Sequence, residues 1–173
     1  MERFLMKTKA ALALLFVLSA SQPVVAALAT DPPAVKSRSE ALADGGFTAL
    51  GKGDHQVAID HFETALAIDP MNGRAYIGLA RVAQAQGLQG KAVRYYREAL
   101  GLDPNDLIAL EGQGQALAAR GATARAQVNL ARIRKLCGAA DCPPARRLEG
   151  TIASANTAAV APKAAPAATA QRN

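Results

Sequence analysis

A constant interval of 34 residues separates equivalent small, aromatic and proline positions along most of the chain. The recurring positions are Gly53, Gly87 and Gly121; Ala58, Ala92 and Ala126; Phe62, Tyr96 and Leu130; and Pro70 and Pro104. A fixed period of this length is typical of a solenoid, in which one unit cannot bury its apolar face alone and neighbouring units stack. The interval therefore constrains the chain to an array of stacked, similar units.

Each unit contains two segments whose apolar residues recur with helical spacing, separated by a glycine. Half of the residues are apolar and β-branched residues rarely alternate with polar ones, so the sequence predicts an all-α protein. The first helix is expected to begin at Ser37, which forms a capping box with Glu40, and to end near Leu50. Residues 27–38 contain two adjacent prolines and are expected to form an extended linker before the first repeat.

The units resemble the tetratricopeptide repeat (TPR), a helix-turn-helix unit of 34 residues. The resemblance covers about residues 39–138 and assigns repeats to 39–72, 73–106 and 107–140. In that family a small residue of the first helix faces an alanine of the second, and a large apolar residue follows the alanine by four positions. These sets are Gly46, Ala58 and Phe62; Ala80, Ala92 and Tyr96; and Gly114, Ala126 and Leu130. Gly45, at a position that usually holds leucine, and Ile133 depart from the pattern. We therefore expect a TPR-type helical solenoid of three hairpins, with residues 141–154 as a short C-terminal capping helix.

The resemblance also implies that a peptide or protein partner binds in a concave groove lined by the first helix of each repeat. Carried onto this chain, the groove residues are Phe47, Leu50, Arg74, Ile77, Arg81, Gln84, Ile108, Glu111, Gln115 and Ala118. Arg74 and Arg81 lie seven residues apart on one helix face, where two guanidinium groups suit a carboxylate or an acidic peptide segment. A solvated helix face without a ligand is the alternative. The lysine and asparagine set with which some family members hold a C-terminal carboxylate is absent from this sequence.

Two cysteines, Cys137 and Cys142, flank a short turn after the third repeat. In an oxidising compartment they are expected to form a disulfide that ties the last repeat to the capping helix. A redox-active pair is the alternative, but the spacing is not Cys-x-x-Cys. No metal site or other cofactor is expected, because His55 and His61 lie about two repeats away and are expected at the surface. The sequence also offers no catalytic constellation, so an enzyme is not expected.

Residues 1–26 have the pattern of a signal peptide, in which basic residues precede a short apolar run and then small residues. The basic residues are Arg3, Lys7 and Lys9, and the apolar run spans residues 10–18. Cleavage is expected after Ala26 or Ala29. The apolar run is about half of the roughly 20 residues that span a bilayer, so a retained membrane anchor is the weaker alternative. The protein is therefore expected to be exported, either to a bacterial periplasm or to the exterior.

The positive charge of the chain is concentrated towards its C-terminal end. Residues 27–106 contain 8 basic and 10 acidic residues, whereas residues 107–173 contain 9 basic and 3 acidic residues. The basic residues of this end, apart from those of the last segment, are Arg120, Arg125, Arg132, Arg134, Lys135, Arg146 and Arg147. An anionic surface is a candidate target and a solvated rim is the alternative. Nucleic acid is not expected, because no aromatic platform accompanies the charges.

Residues 155–173 are rich in alanine and proline and are expected to be disordered.

The sequence thus predicts a non-catalytic interaction scaffold or adaptor of the periplasm or cell envelope that binds a peptide or protein partner in its groove. The alternative is a subunit of an envelope assembly or secretion complex that contacts an anionic surface, such as a membrane, through its basic end. Three repeats fall short of a full superhelical turn, so self-association is a further alternative, and the oligomeric state stays open.

Overall fold

The computed structural model describes residues 32–160, which form seven α-helices and no strand. The helices are α1 (Pro32–Lys52), α2 (His55–Ile68), α3 (Gly73–Ala85), α4 (Gln89–Leu102), α5 (Leu107–Ala119), α6 (Thr123–Cys137) and α7 (Pro143–Val160). The first six helices form three hairpins that stack in chain order, and α7 packs against α5 and α6. The predicted all-α fold of stacked helical hairpins is confirmed. Every helix within residues 32–160 is too short or too polar to cross a lipid bilayer.

Each hairpin turns at a glycine whose backbone is in the left-handed region. Gly53, Gly87 and Gly121 have φ angles of 84°, 75° and 76°. Residues with a Cβ atom rarely adopt this conformation, whereas glycine adopts it at no steric cost. The 34-residue spacing of these glycines therefore reflects one turn geometry used three times.

Glycines in the first helices of the repeats make room for large side chains from the second helices. The Phe62 ring is fully buried between Gly46 of its own repeat and Gly78 of the next, and a Cβ atom on Gly46 would lie 2.6 Å from the ring. Tyr96 packs against Gly112 in the equivalent way. The absence of Cβ atoms lets the helices approach until the rings fill the space between them.

A buried polar network joins the first repeat to the second. The Ser39 hydroxyl donates a hydrogen bond to the Ala65 carbonyl at 2.8 Å and accepts one from the Asn72 amide at 2.8 Å. The Asn72 side-chain oxygen accepts a third bond, of 3.0 Å, from the Ala75 N–H at the start of α3. Each of these buried groups thus has a partner, which removes the cost of taking them out of water.

The N-terminal end of the array differs from the sequence-based expectation. Helix α1 begins at Pro32, so residues 32–38 are helical and the predicted extended linker is wrong over that stretch. The predicted capping box is also wrong, because Ser37 lies within α1 and not at its N-terminus. Its hydroxyl donates a hydrogen bond of 3.1 Å to the Ala34 carbonyl of the preceding turn. Prolines are tolerated in a first helical turn, where their missing N–H is not needed for a helical hydrogen bond. The predicted signal peptide lies outside the described residues.

The C-terminal helix is longer than the sequence predicts. Helix α7 ends at Val160, so residues 155–160 are helical, and the prediction that disorder starts at 155 is wrong over that stretch. The alanines of this segment have high helix propensity, which extends a helix that is already anchored. The rest of the predicted disordered tail, residues 161–173, lies outside the described residues.

Helix α7 caps the array through an apolar face. Leu148 is fully buried and packs against Gly114 of α5, where a Cβ atom would lie 2.6 Å from the leucine side chain. Ala145 and Ile152 are buried on the same face. The third repeat therefore has an apolar neighbour on its outer side, as the first and second repeats have.

Both histidines are partly exposed at the surface, as expected, and each is also partly buried. The imidazole of His61 packs against Gly45, and a Cβ atom there would lie 3.2 Å from the ring. The ring thus occupies space in front of a glycine that stands where the repeat pattern usually has leucine.

Replacing Gly112 with alanine is expected to destabilise the protein by about 1–3 kcal/mol, because the added methyl group would overlap the Tyr96 ring. The free energy of unfolding can be measured by chemical denaturation monitored by circular dichroism. Gly150→Ala is the matched control, since Gly150 lies in α7 with open space where its Cβ would be. That variant is expected to gain up to about 1 kcal/mol from helix propensity. Equal effects at the two positions would contradict the proposed packing.

Candidate functional site

The first helices of the three repeats line a cavity of about 450 Å³, here called the first cavity. Its lining residues are Phe47, Leu50 and Gly51 of α1, Arg74, Ile77 and Arg81 of α3, and Ile108 of α5. Its floor is apolar, and Ile108 is half exposed to solvent at 51%. Two arginines are the charged members of the lining, so the cavity combines apolar surface with positive charge.

Phe47 organises both arginines of the first cavity. The guanidinium carbons of Arg74 and Arg81 each lie 5.6 Å from the centroid of the Phe47 ring, within the range of a cation–π interaction. The Phe47 ring in turn meets the buried Phe62 ring edge-on, with centroids 5.0 Å apart and an interplanar angle of 70°. The cations are therefore placed by a ring that the core itself holds.

The two arginines differ in how far their charge is already compensated. Arg74 forms an ion pair of 2.6 Å with Asp44 on α1, and both side chains are more than half exposed. Arg81 forms no ion pair with any residue of the described part of the chain. Of the two arginines of the first cavity, Arg81 is therefore the one whose charge is more available to a ligand.

A smaller space of about 180 Å³, here called the second cavity, shares Arg81 and Ile108 with the first cavity, and the two cavities together are called the groove. Its other lining residues are Gln84, Tyr96, Glu111, Gly112, Gln115 and Arg147. Arg147 comes from α7 and donates two hydrogen bonds of 2.6 Å to the two carboxylate oxygens of Glu111. The Gln115 amide donates a third bond to this carboxylate at 3.0 Å.

The Glu111 side chain is only 10% exposed, whereas that of Arg147 is 58% exposed. A carboxylate that is this far removed from water needs a cation and hydrogen bonds, and Arg147 supplies both. The hydrogen bonds and charge of Glu111 raise the pKa of Arg147 above its ordinary value. The carboxylate of Glu111 is thus bound within the protein.

The Tyr96 hydroxyl reaches the second cavity from the core. It donates a hydrogen bond of 2.7 Å to the side-chain oxygen of Gln84, whose amide nitrogen lies 3.4 Å from the Gly112 carbonyl that accepts from it. Burial raises the pKa of Tyr96 to about 12, against the opposing effect of nearby Arg81, and the charge of Glu111 adds to the increase. The hydroxyl is therefore neutral at physiological pH and acts as a hydrogen-bond donor.

The structure divides the predicted groove residues between the two cavities. Phe47, Leu50, Arg74, Ile77 and Arg81 line the first cavity with Ile108, and Gln84, Glu111 and Gln115 line the second. Ala118 is buried and lines neither cavity.

Sequence reasoning missed three residues that line the second cavity, namely Gly112 and the two that bring polar side-chain groups to it, Tyr96 and Arg147. Arg147 follows Glu111 by 36 residues, close to one repeat length, so treating α7 as the first helix of a further repeat would have placed the two side by side. The repeat pattern assigns the tyrosine only an apolar role in packing, and nothing in that pattern indicates where its hydroxyl lies.

The basic end of the chain is partly neutralised by ion pairs. Arg134 pairs with Glu149 at 2.8 Å, and Arg146 pairs with Asp141. Near this end Cys137 and Cys142 lie with their Cα atoms 6.0 Å apart and their sulfur atoms in contact. Within residues 32–160 no group of three or more histidine, cysteine or acidic side chains is arranged to hold a metal ion.

Comparison with protein families matches residues 46–106 and 77–131 to the tetratricopeptide repeat. The chain is a tetratricopeptide repeat protein. No curated protein matches it in sequence. The resemblance that the sequence suggested is therefore confirmed by both the family match and the fold.

Several solved TPR structures resemble the chain at low sequence identity. The first TPR domain of Spaghetti (RPAP3), bound to the HSP90 peptide SRMEEVD, is 17% identical with a TM-score of 0.63, over 72% of this chain and 94% of that one. The Yersinia enterocolitica type III secretion chaperone SycD, in complex with a peptide of the translocator YopD, is 20% identical with a TM-score of 0.59, over 69% and 93%. An O-GlcNAc transferase mutant from Thermobaculum terrenum is 24% identical with a TM-score of 0.61, over 70% of this chain and 22% of the enzyme. At these identities the likeness shows the fold.

The raised pKa of Tyr96 predicts a loss of stability at alkaline pH. Between pH 10.0, the ordinary tyrosine value, and about 12 the hydroxyl ionises in the unfolded chain but stays protonated in the folded one. Unfolding then releases a proton, so the free energy of unfolding falls as pH rises through this window, by about 2–3 kcal/mol in total. Urea unfolding at a series of pH values would measure the decrease, and Tyr96→Phe is expected to lose that part of it. An equally steep decrease in Tyr96→Phe would contradict the assignment.

Proposed function

We propose that this TPR protein is a non-catalytic scaffold or adaptor that binds a peptide or a segment of a protein partner in its groove. The observation that carries the proposal is the first cavity, where an apolar floor lies beside two arginines placed by the Phe47 ring. Such a surface accepts an apolar side chain and a polar or charged group of the same segment.

The comparisons support binding rather than chemistry. Two of the similar structures hold a peptide, from HSP90 and from the translocator YopD. The similar O-GlcNAc transferase is mostly outside the match, since the chain corresponds to 22% of that enzyme. In the groove of this chain, the carboxylate of Glu111 is already bound by Arg147, and the other polar groups are guanidinium, amide and phenol groups suited to hydrogen bonding.

The alternative function, contact with an anionic surface through the basic end, has weaker support. Arg134, Arg146 and Arg147 all form ion pairs with acidic side chains of this chain, which reduces the positive charge that a surface would meet. The remaining basic side chains of that end include Arg132 and Lys135, which are exposed on α6. They provide a direct way to separate the two functions.

We also propose that the protein is exported and that Cys137 and Cys142 form a disulfide. Export is supported by the basic and apolar pattern of residues 1–26 and by the small residues that follow it. The disulfide is supported by the contact between the two sulfur atoms and by a Cα separation of 6.0 Å, which is within the usual range for bridged cysteines.

Reversing the charge of the groove arginines is expected to abolish capture of the partner. The double variant Arg74→Glu and Arg81→Glu keeps long side chains on exposed positions of α3 but repels an acidic segment. Quantitative pull-down from an envelope extract, with mass spectrometry of the bound proteins, measures the loss.

The matched control is Arg132→Glu with Lys135→Glu, which makes the same charge change on α6 outside both cavities. We expect it to retain the partner. Loss in the α6 variant with retention in the groove variant would instead favour the basic end as the contact surface.

The intact mass of the protein isolated from the envelope fraction tests export and the disulfide together. The chain is expected to begin at Ala27 or Thr30, and its mass is expected to rise by about 2 Da on reduction, when the two thiols regain their hydrogens. Reduction is also expected to lower stability by about 2 kcal/mol, as expected for opening a short loop. A full-length mass, or a mass that reduction leaves unchanged, would contradict the corresponding part of the proposal.

A further inference from the structure

The charge of the groove depends on one residue that lies outside the three repeats. Among the described residues that line the two cavities, Glu111 is the only acid, and Arg74, Arg81 and Arg147 are the bases. Arg147 is the member that comes from α7, and it binds both carboxylate oxygens of Glu111. Without it, a poorly solvated carboxylate would be left in the groove.

We infer that Arg147 is a positioning residue that sets the charge specificity of the groove. Because Arg147 pairs with Glu111, Arg81 has no ion-pair partner and can bind a carboxylate of the partner. The inference rests on the proposed function, because it concerns the same groove. It names the partner segment by its chemistry, as a bulky apolar side chain for the first cavity accompanied by an aspartate or glutamate that reaches Arg81.

Without Arg147, Arg81 would be the cation with which Glu111 forms an ion pair. Both residues line the second cavity, and both lie close enough to the Tyr96 hydroxyl for their charges to act on it. Arg81 has no ion-pair partner among residues 32–160, and a guanidinium group on a flexible side chain readily pairs with a nearby carboxylate. Such a pair would remove the unpaired cation of the groove and leave Arg74, which already forms an ion pair with Asp44.

The position of Arg147 is fixed by the packing of α7. The next residue, Leu148, fills the space beside Gly114, and Ala145 and Ile152 are buried on the same helix face. The helix begins directly after Cys142, whose sulfur contacts that of Cys137 at the end of α6. Arg147 therefore reaches Glu111 from an anchored helix, and its 58% exposed side chain forms part of the groove wall.

The first test needs no ligand and observes the Nε–H group of Arg81 by ¹⁵N NMR. In Arg147→Gln the Arg81 resonance is expected to shift and its exchange with water to slow, because Glu111 recruits the guanidinium group. In the double variant Arg147→Gln with Glu111→Gln the resonance is expected to return towards the wild-type position. An Arg81 resonance unchanged in Arg147→Gln would overturn the inference.

The second test uses three capped peptides that differ only in charge: Ac-SLESLES-NH2, Ac-SLQSLQS-NH2 and Ac-SLKSLKS-NH2. Titration followed by NMR gives a Kd for each from the shifts of groove resonances. The wild-type protein is expected to bind the glutamate peptide about threefold to tenfold more tightly than the glutamine peptide, and the lysine peptide least tightly. Arg147→Gln is expected to bring the ratio between the glutamate and glutamine peptides close to one.

Rescue separates positioning from a merely structural role for Arg147. The ion pair to α7 is lost both in Arg147→Gln and in the double variant with Glu111→Gln, but only the double variant frees Arg81. We therefore expect the double variant to regain the preference for the glutamate peptide. Failure to regain it, with the fold intact by circular dichroism, would show that Arg147 acts by holding α7 and would overturn the inference.

The outcomes also separate this inference from the proposed function. Equal binding of the three peptides at the groove would overturn the charge specificity and leave peptide binding in place. If none of the peptides shifts groove resonances, the preference for an acidic segment is overturned together with the groove as a peptide site. Retained partner capture by the Arg74→Glu and Arg81→Glu variant would independently overturn the groove as the binding surface.

Discussion

The packing of aromatic rings against glycines holds the repeats at the distance on which the rest of the structure depends. Phe62 occupies the space between Gly46 and Gly78, and because it is fixed there it supports the ring of Phe47 edge-on. Phe47 then places two guanidinium groups 5.6 Å from its centroid. The core contact of Phe62 with the two glycines is thus connected through Phe47 to the positions of the two arginines. A substitution that moves the Phe62 ring would therefore also change the position of positive charge in the groove.

The 34-residue period predicted most of the fold because it records a geometry that each repeat must satisfy. The turns require a left-handed backbone and the rings require a residue without a Cβ opposite them, so glycine recurs at fixed positions of the repeat. The two ends of the array lack these recurring residues, and there the predicted helix bounds were wrong. Prolines at the start of α1 suggested a linker although a first helical turn accepts them, and the alanines of 155–160 suggested disorder although they extend α7.

The repeat register was enough to predict most of the first-helix residues that line the candidate site. The register places Arg74, Ile77 and Arg81 on one face of α3, and the structure brings them into one cavity. It gives no information on which charges are already paired, because pairing depends on distances between helices rather than on positions within one. The Glu111–Arg147 pair joins the third repeat to a helix that was not assigned to any repeat, so the predicted register did not relate the two residues.

The buried bonds of Ser39 and Asn72 have a consequence for how the array opens. In a stack of repeats the terminal units have one neighbour each and are normally the first to unfold, which leaves a gradient of amide hydrogen exchange from the middle outwards. Here the first unit is tied to the second through Asn72, and the third unit is covered by Leu148 on α7. Both ends thus share interactions with their neighbours, so exchange of buried amides from α2 to α6 should follow one cooperative opening instead of stepwise fraying.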